Sequence, residues 1–353
     1  MNRSISIAIS IFLSLLVSIA GFWFNQTHVL AHRPHDDVYA VKLSGDYQQD
    51  QSVFMIVRGN LLKSTDGGIT WQRLTAGIDN RGQLLNLTIA RQNSQILYIS
   101  AWGDGIYKTI DGGESWFKVN RGLDNLQLDL LLTDSQGKRV LAAGEEQGLY
   151  YSDNGGENFR EAIAERKITA LAFNSARSEE LLVGDRQGEL YVSLDGGQTW
   201  QQRAKIGKGS VIKAIAVSPQ NQTIYVGTEE EGVWQSQDDG QTFTPIDGED
   251  APVSIKDIVI GNDNRTLLVS ERNQGVFALE NEAKDWTKLS QGLTKDGQAD
   301  EPNFQRPHFG DLAISPNFNQ DKTLFLAGFN GLFKSTNGGD EWTELDALSA
   351  RIV

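Results

Sequence analysis

Lys63-Ser64-Thr65-Asp66-Gly67-Gly68-Ile69-Thr70-Trp71 is the stretch that the rest of this 353-residue chain repeats. The pattern Ser/Thr-x-Asp-x-Gly-x-Thr-Trp occurs seven times, and its copy at 279–286 is degenerate but keeps the aromatic residue, Trp286. The Asp or Asn of the seven copies is Asp66, Asp111, Asn154, Asp195, Asp238, Asn281 and Asn337.

The residue types of this pattern are those of a tight β-hairpin turn. An Asp or Asn side chain can accept hydrogen bonds from the backbone just after it, which fixes the turn. Glycines adopt positive φ at little steric cost, and the aromatic residue can open the next strand and pack beneath the turn. We therefore expect the seven Asp and Asn residues to be structural.

The spacing of the repeats predicts the fold. The first five intervals are 41 to 45 residues and the last is 56, and each interval contains alternating β-branched and aromatic stretches that favour strands. A period of this length indicates one four-stranded propeller blade. Residues 32–353 are thus predicted to be all-β, a single seven-bladed β-propeller of four-stranded antiparallel blades. No strand is evidently donated between its ends, so closure would rest on packing of the first and last units or on the tail 347–353.

The N-terminus differs from the repeats. Residues 5–24 are apolar apart from small residues and Ser, and Val29-Leu30-Ala31 offers a small residue for signal peptidase. Residues 1–31 are predicted to be a signal peptide, or a membrane anchor if they are retained. The chain has no cysteine and therefore no disulfide. An exported protein without disulfides is more typical of the bacterial periplasm or the thylakoid lumen than of eukaryotic secretion. The net charge of −14 argues against nucleic acid as a partner.

The repeated motif resembles the Asp-box (BNR) repeat of sialidases, sortilin-like receptors and many bacterial propellers. In size, period and box sequence the chain also resembles the photosystem II stability/assembly factor family, which are exported single propellers. That resemblance implies a non-catalytic, protein-binding assembly factor for a membrane complex. We expect no cofactor, a protein partner that is membrane-associated and basic or amphipathic, and a monomeric chain.

A carbohydrate-active propeller is the alternative function. The sialidase pattern includes an early Arg-Ile-Pro, but the only Arg-Ile here is Arg351-Ile352, at the C-terminus. Other Asp-box glycosidases use two catalytic carboxylates. The chain has 46 acidic residues, so the sequence does not exclude a catalytic pair among them. Four histidines show no metal-ligand spacing, and His32 and His35 lie in the expected mature N-terminus, so no metal site is predicted.

The turns between second and third strands should share the propeller face opposite the boxes, together with the connections from blade to blade. The long segment 290–310 is one of these connections. We expect the partner to dock on this acidic face, with Trp102 and Phe329 exposed. The candidate residues are Arg58, Trp102, Asp104, Glu145, Glu146, Asp185, Arg186, Glu229, Glu230, Glu231, Glu271, Arg272, Arg306, His308, Phe329 and Asn330.

Overall fold

The computed structural model describes residues 37–79, 84–144, 148–261, 266–280, 285–293, 308–328 and 331–345. Contacts divide the chain into Met1–His35, which lies outside the described residues, and Asp36–Val353. All of the described residues belong to the second unit. The expected signal or anchor segment 1–31 and the tail 347–353 both lie outside the described residues.

The described residues form seven antiparallel four-stranded sheets, each built from four strands consecutive in sequence. The first strands are β1 (Val38–Leu43), β5 (Leu84–Ile89), β9 (Leu130–Thr133), β13 (Ile168–Phe173), β17 (Ile212–Val217), β21 (Ile255–Ile260) and β25 (Phe309–Ile314). The second strands are β2 (Val53–Val57), β6 (Leu97–Ala101), β10 (Val140–Gly144), β14 (Leu181–Asp185), β18 (Ile224–Thr228), β22 (Thr266–Glu271) and β26 (Leu324–Gly328).

The third and fourth strands complete each blade on the side away from the first strand. The third strands are β3 (Asn60–Ser64), β7 (Gly105–Thr109), β11 (Gly148–Ser152), β15 (Glu189–Ser193), β19 (Val233–Ser236), β23 (Gly275–Glu280) and β27 (Gly331–Ser335). The fourth strands are β4 (Gln72–Arg73), β8 (Phe117–Lys118), β12 (Arg160–Ile163), β16 (Gln201–Lys205), β20 (Thr244–Pro245), β24 (Thr287–Leu289) and β28 (Thr343–Leu345).

The first strand of each blade contacts the first strand of the next, and β25 contacts β1, so these strands form the inner ring of a closed propeller. The sequence-based prediction of seven four-stranded blades is confirmed. Two one-turn helices, α1 (Tyr47–Asp50) and α2 (Phe318–Asp321), lie in the turns between first and second strands of blades 1 and 7. They are the only helices in the described part of the chain.

The hydrophobic core lies between the blades. In the cluster that joins blade 7 to blade 1, Phe325 and Leu332 pack with Val41, Met55 and Trp71. No described strand crosses from one end of the chain into the sheet of the other. Within the described residues, blade 7 packs on blade 1, which is one of the two closure routes expected from the sequence. The tail 347–353, the other route, lies outside the described residues.

A lysine on the third strand of three blades reaches the Asp box of the next blade. Lys63 Nζ donates to Gly112 O at 3.1 Å, and Lys108 Nζ donates to Gly155 O at 2.8 Å. Lys334 Nζ makes the same bond from blade 7 to blade 1, to Gly67 O at 2.9 Å. The closing interface thus carries the same link as two interfaces inside the chain.

The backbone of the box aromatic also approaches the preceding blade. Phe159 N donates to Arg121 O at 2.8 Å, in the segment that follows the fourth strand of blade 2. The adjacent Gly122 has φ of +84°, and a Cβ placed there would stand 2.0 Å from Phe159 O. Only a residue without a side chain allows the two backbones to come this close.

Gly122→Ala should therefore destabilise the ring more than a positive φ alone would. Gly103, in the turn between β6 and β7, has φ of +74° and nothing within 4 Å of a Cβ. We expect Gly103→Ala to cost about 1–2 kcal/mol for its left-handed backbone. Gly122→Ala should cost an additional ~1–3 kcal/mol for the clash with blade 3.

Urea denaturation of the two variants measures this difference in the free energy of unfolding. Equal losses would contradict the close approach of the two blades.

Candidate functional site

The strand order assigns every turn to one of two faces. In blade 1, Val53 pairs with Ser64 at one end of the sheet and Val57 pairs with Asn60 at the other. We call the face with the Asp boxes and the first-to-second turns the box face. The other face, with the second-to-third turns and the connections between blades, is called the crossover face.

The Asp box of blade 1 is a closed network of hydrogen bonds. Ser64 Oγ accepts from Gly68 N at 2.8 Å and donates to Asp66 Oδ1 at 2.7 Å. Asp66 Oδ1 also accepts from Thr70 N at 2.9 Å, and Asp66 Oδ2 accepts from the Thr70 hydroxyl. Trp71 Nε1 donates to Gly68 O at 3.1 Å, which seats the ring under the turn.

The bonds of the Ser or Thr hydroxyl and of the carboxylate recur in the other described boxes with Asp, and the indole bond recurs at Trp116. The Thr199 hydroxyl and amide, bonded to Asp195, lower the pKa of that carboxyl to about 2. Thr242 does the same for Asp238, whose pKa is also about 2. Bonds from the Ser115 and Thr109 hydroxyls likewise lower the pKa of Asp111. These carboxylates are ionised and occupied by the turn, which is what a structural role requires.

The boxes with Asn are those that lack a hydroxyl four residues later. Asp66, Asp111, Asp195 and Asp238 are followed at this distance by Ser or Thr, whereas Asn154, Asn281 and Asn337 are followed by Asn, Asp and Glu. Asn154 Oδ1 accepts from Ser152 Oγ and from Asn158 N, and Asn337 Oδ1 accepts from Ser335 Oγ and Glu341 N. The box residue is thus an Asp, with a second carboxylate oxygen, in those copies where a Ser or Thr hydroxyl four residues later donates to that oxygen. Asn281 lies outside the described residues.

On the crossover face, two of the candidate acids are buried. Asp185 is 0% exposed, and its Oδ1 accepts from Gln187 N at 2.9 Å and from Glu189 N at 2.8 Å. Burial raises the pKa of Asp185 against the effect of these bonds. Glu271 is 3% exposed and its Oε2 accepts from the backbone of the next turn. Both side chains fix second-to-third turns, as the box aspartates fix third-to-fourth turns.

Other candidate side chains are partly engaged within the molecule. Asp104 accepts from Lys118 Nζ at 2.7 Å and from the Tyr107 hydroxyl. Glu231 accepts from Lys208 N at 2.9 Å. The expectation that Trp102 is exposed is wrong, because its side chain is half-buried in the turn between β6 and β7.

The remaining candidates divide into described and undescribed residues. Arg58, Arg186 and Glu230 are exposed, and Glu229 is half-buried. Arg272 Nε donates to His308 Nδ1 at 3.4 Å. Glu145, Glu146, Arg306, Phe329 and Asn330 lie outside the described residues, as does most of 290–310.

Sequence reasoning missed a group of basic side chains at this face. Burial, together with the charges of Lys213 and Arg272, lowers the pKa of Lys256, and Glu229 and Glu271 oppose that shift. Lys213 and Lys256 stand at the bulges near the starts of β17 and β21. A lysine between apolar residues of an inner strand was the available signal. The crossover face is therefore mixed in charge and not a simple acidic ring.

Two family profiles match the chain. BNR/Asp-box repeat matches residues 62–73, and a profile described as sortilin, neurotensin receptor 3 matches residues 188–352. This chain is an Asp-box repeat β-propeller. No match was found among curated proteins.

Several solved structures share the fold of this Asp-box propeller. The GH74 xyloglucanase from Xanthomonas campestris matches with a TM-score of 0.71 at 16% identity, over 88% of this chain and 54% of that one. The GH74 enzyme of Niastella koreensis gives 0.67 at 16% identity, over 90% and 54%. The propeller thus spans about half the length of these enzymes.

Two structures of YCF48 match over nearly their whole length. YCF48 from Cyanidioschyzon merolae has a TM-score of 0.61 at 14% identity, with coverage of 86% of this chain and 96% of that one. YCF48 bound to D1 peptide also gives 0.61 at 14%, with coverage of 84% and 92%. At these identities the matches establish the fold that the propeller shares with both groups.

Two further observations bear on sites in the Asp-box propeller. In the described part of the chain, no three His, Cys, Asp or Glu side chains come together as metal ligands would. No helix among the described residues has the length and apolar character needed to cross a bilayer.

The box aspartates should make the propeller sensitive to acid. Because the pKa of Asp195 and of Asp238 is lowered from 3.8 to about 2, their contribution to stability is present above pH 4 and is lost as the pH falls toward 2. The double variant Asp195→Asn/Asp238→Asn lacks this contribution at every pH. Its melting temperature should lie below that of the wild type at pH 6 and approach it at pH 2.

Thermal unfolding monitored by circular dichroism at several pH values measures this convergence. A gap in melting temperature that stays constant between pH 6 and pH 2 would argue against ionised, hydrogen-bonded box carboxylates.

Proposed function

We propose that this chain is a non-catalytic, protein-binding propeller that docks a polypeptide on its crossover face. The proposal rests on the share of each similar structure that this chain spans. The chain spans 92% of a YCF48 structure that contains a bound D1 peptide, but only 54% of the Xanthomonas campestris enzyme. The propeller described here corresponds to nearly the whole of the peptide-bound structure and to about half of the glycosidase.

The proposed compartment rests on the N-terminal sequence and on the lack of cysteine in the chain, and the proposed task rests on the family resemblance. We propose that residues 1–31 direct the chain across a membrane, into the periplasm or the thylakoid lumen. There it would act as an assembly or stability factor for a membrane complex, such as a photosynthetic one. Mass spectrometry of the native protein tests export, since a protein with Met1 intact in the cytosol would refute it.

The chemistry of the crossover face supports a basic or amphipathic partner. Glu229, Glu230 and Glu231 form a consecutive acidic turn on blade 5, and Glu230 is exposed. Half-buried Trp102 offers part of its ring in the turn of blade 2. An apolar ring on one blade and an acidic turn on another blade of the same face fit a peptide that carries apolar and basic residues apart from each other.

The box face is the less suitable docking surface. Its repeated carboxylates and hydroxyls bond to one another within each turn, as in Asp66 and Thr70. Exposed acids such as Asp153, Glu157 and Asp340 are present there as well. They provide a matched control with the same number of charges.

A carbohydrate-active propeller is the second candidate, favoured by the TM-score of 0.71 with a GH74 xyloglucanase. Glycosidases hold their two carboxyl groups about 5–5.5 Å apart when they retain configuration, and about 6.5–9.5 Å apart when they invert it. Asp257 and Asp311, on neighbouring inner strands, each accept a backbone N–H of the next blade. Both carboxyl groups are thus engaged in joining strands, so this pair does not support hydrolysis.

Binding to detergent-solubilised native membranes tests the docking face. The triple variant Glu229→Gln/Glu230→Gln/Glu231→Gln should bind its membrane partner about tenfold more weakly. Three charge pairs of about 0.5 kcal/mol each together reach about 1.5 kcal/mol, close to the ~1.4 kcal/mol that corresponds to a factor of ten in affinity. The control Asp153→Asn/Glu157→Gln/Asp340→Asn should bind as the wild type does, and raising the salt concentration should abolish the difference.

The opposite ranking of the two variants would place the partner on the box face. Release of reducing ends from xyloglucan by the wild type would favour the glycosidase instead.

A further inference from the structure

The inner strands of blades 6, 7 and 1 carry three charged residues at positions that are mostly uncharged elsewhere. Asp257 and Asp311 occupy the same place in the repeat, the fourth position from the end of the first strand. The other blades have Ala40, Asn86, Leu130, Ala170 and Ala214 at this place. Lys42 stands two positions further along the inner strand of blade 1, where its counterparts are Thr88, Leu132, Ala172, Ala216, Val259 and Ala313.

These three side chains connect the blades across the closure of the ring. Asp257 Oδ2, on blade 6, accepts from Leu312 N of blade 7 at 3.0 Å. Asp311 Oδ2, on blade 7, accepts from Val41 N of blade 1 at 2.9 Å. Lys42 Nζ donates to both oxygens of Asp311 at 2.7 Å. Each carboxylate therefore fastens its own inner strand to the backbone of the next.

Asp257 accepts from the backbone amide that directly follows Asp311, so the two carboxyl groups are neighbours on adjacent inner strands. Two neighbouring carboxyl groups disfavour each other's ionisation, which favours a proton on one of them. Both oxygens of Asp311 face the Lys42 ammonium, which favours the negative charge on Asp311. The proton accordingly belongs on Asp257.

Other charged groups near this pair lie toward the crossover face. Lys256 precedes Asp257 on β21, and Lys213 lies on β17 of blade 5. Arg272, Glu229 and Glu271 interact with Lys256. The charges that act on Asp257 most strongly are those of Asp311 and Lys42.

We propose that Asp257 and Asp311 form a proton-operated latch that fastens blade 6 to blade 7 and, through Lys42, to blade 1. With the proton on Asp257, the two neighbouring carboxyl groups carry one negative charge, which faces Lys42. When the proton leaves to solvent, they carry two negative charges side by side and this sector of the ring is weakened. The reaction is the loss of one proton from a carboxyl group and needs no co-reactant.

The latch works near neutral pH. Burial, followed by the charge of Asp311, raises the pKa of Asp257 from 3.8 to about 7, and Lys42 opposes this shift. Between these two values the folded state binds a proton that the unfolded state has lost. The contribution of Asp257 to stability is therefore greatest below pH 4 and falls as the pH rises to about 7. This direction is opposite to that of the box aspartates.

Asp257→Asn provides the decisive variant, because an amide of the same size cannot titrate. In the wild type, the unfolding equilibrium constant should rise by up to about tenfold per pH unit between pH 5 and 6.5, because unfolding releases the proton of Asp257. The variant should lack this rise. Urea denaturation of the full chain at half-unit pH intervals measures the slope of each protein.

Asp238→Asn is the matched control, since the pKa of Asp238 is about 2 and its titration is complete before this window begins. Its slope between pH 5 and 8 should equal that of the wild type. Equal slopes for the wild type and Asp257→Asn would overturn the proposal. If Asp257→Asn does not fold, the carboxyl carbon of Asp257 in the wild type can be followed by NMR. A midpoint near 7 supports the latch, and a midpoint near 4 refutes it.

Discussion

The ring depends on contacts that the Asp box makes with the neighbouring blade. Its glycines expose backbone carbonyls, and Lys63, Lys108 and Lys334 donate to these carbonyls from the preceding blade. The backbone of Phe159, at the end of one box, approaches Gly122 so closely that no side chain fits there. The box is thus both a hairpin turn and the piece that fixes the spacing of the blades.

The seven copies of the Asp box can be compared with one another, which shows when the turn contains an Asp and when it contains an Asn. The carboxylate is present where a hydroxyl lies four residues later, and an amide replaces it where that hydroxyl is missing. Asp195 and Thr199 illustrate the first case, and Asn337 with Glu341 the second. A catalytic carboxylate would not need to follow a local hydroxyl in this way. The pairing therefore supports a structural role for the boxes.

The period of the repeat was enough to predict seven blades, because each box marks the same turn of the same antiparallel sheet. The two faces also followed from strand order. The burial of Asp185 and Glu271 did not, since it depends on turns whose backbone N–H groups converge on the carboxylate. Nor did the meeting of Lys42 with Asp311, which are separated by most of the chain and are joined only when the ring closes. The one sequence signal at this part of the ring was that Asp257 and Asp311 occupy the same position in their repeats.

Blade 7 packs on blade 1 as firmly as neighbouring blades pack elsewhere in the ring, and native-state hydrogen exchange tests this most directly. At pH 6, amides of β3 and β26, in the blades that meet at the closure, should exchange with the same opening free energy as those of β10 and β14, far from it. That result is expected because blade 7 and blade 1 share a core and the lysine link of Lys334 to Gly67 O. Exchange of β3 or β26 through a separate opening of lower free energy would contradict a ring that is closed as firmly there as elsewhere.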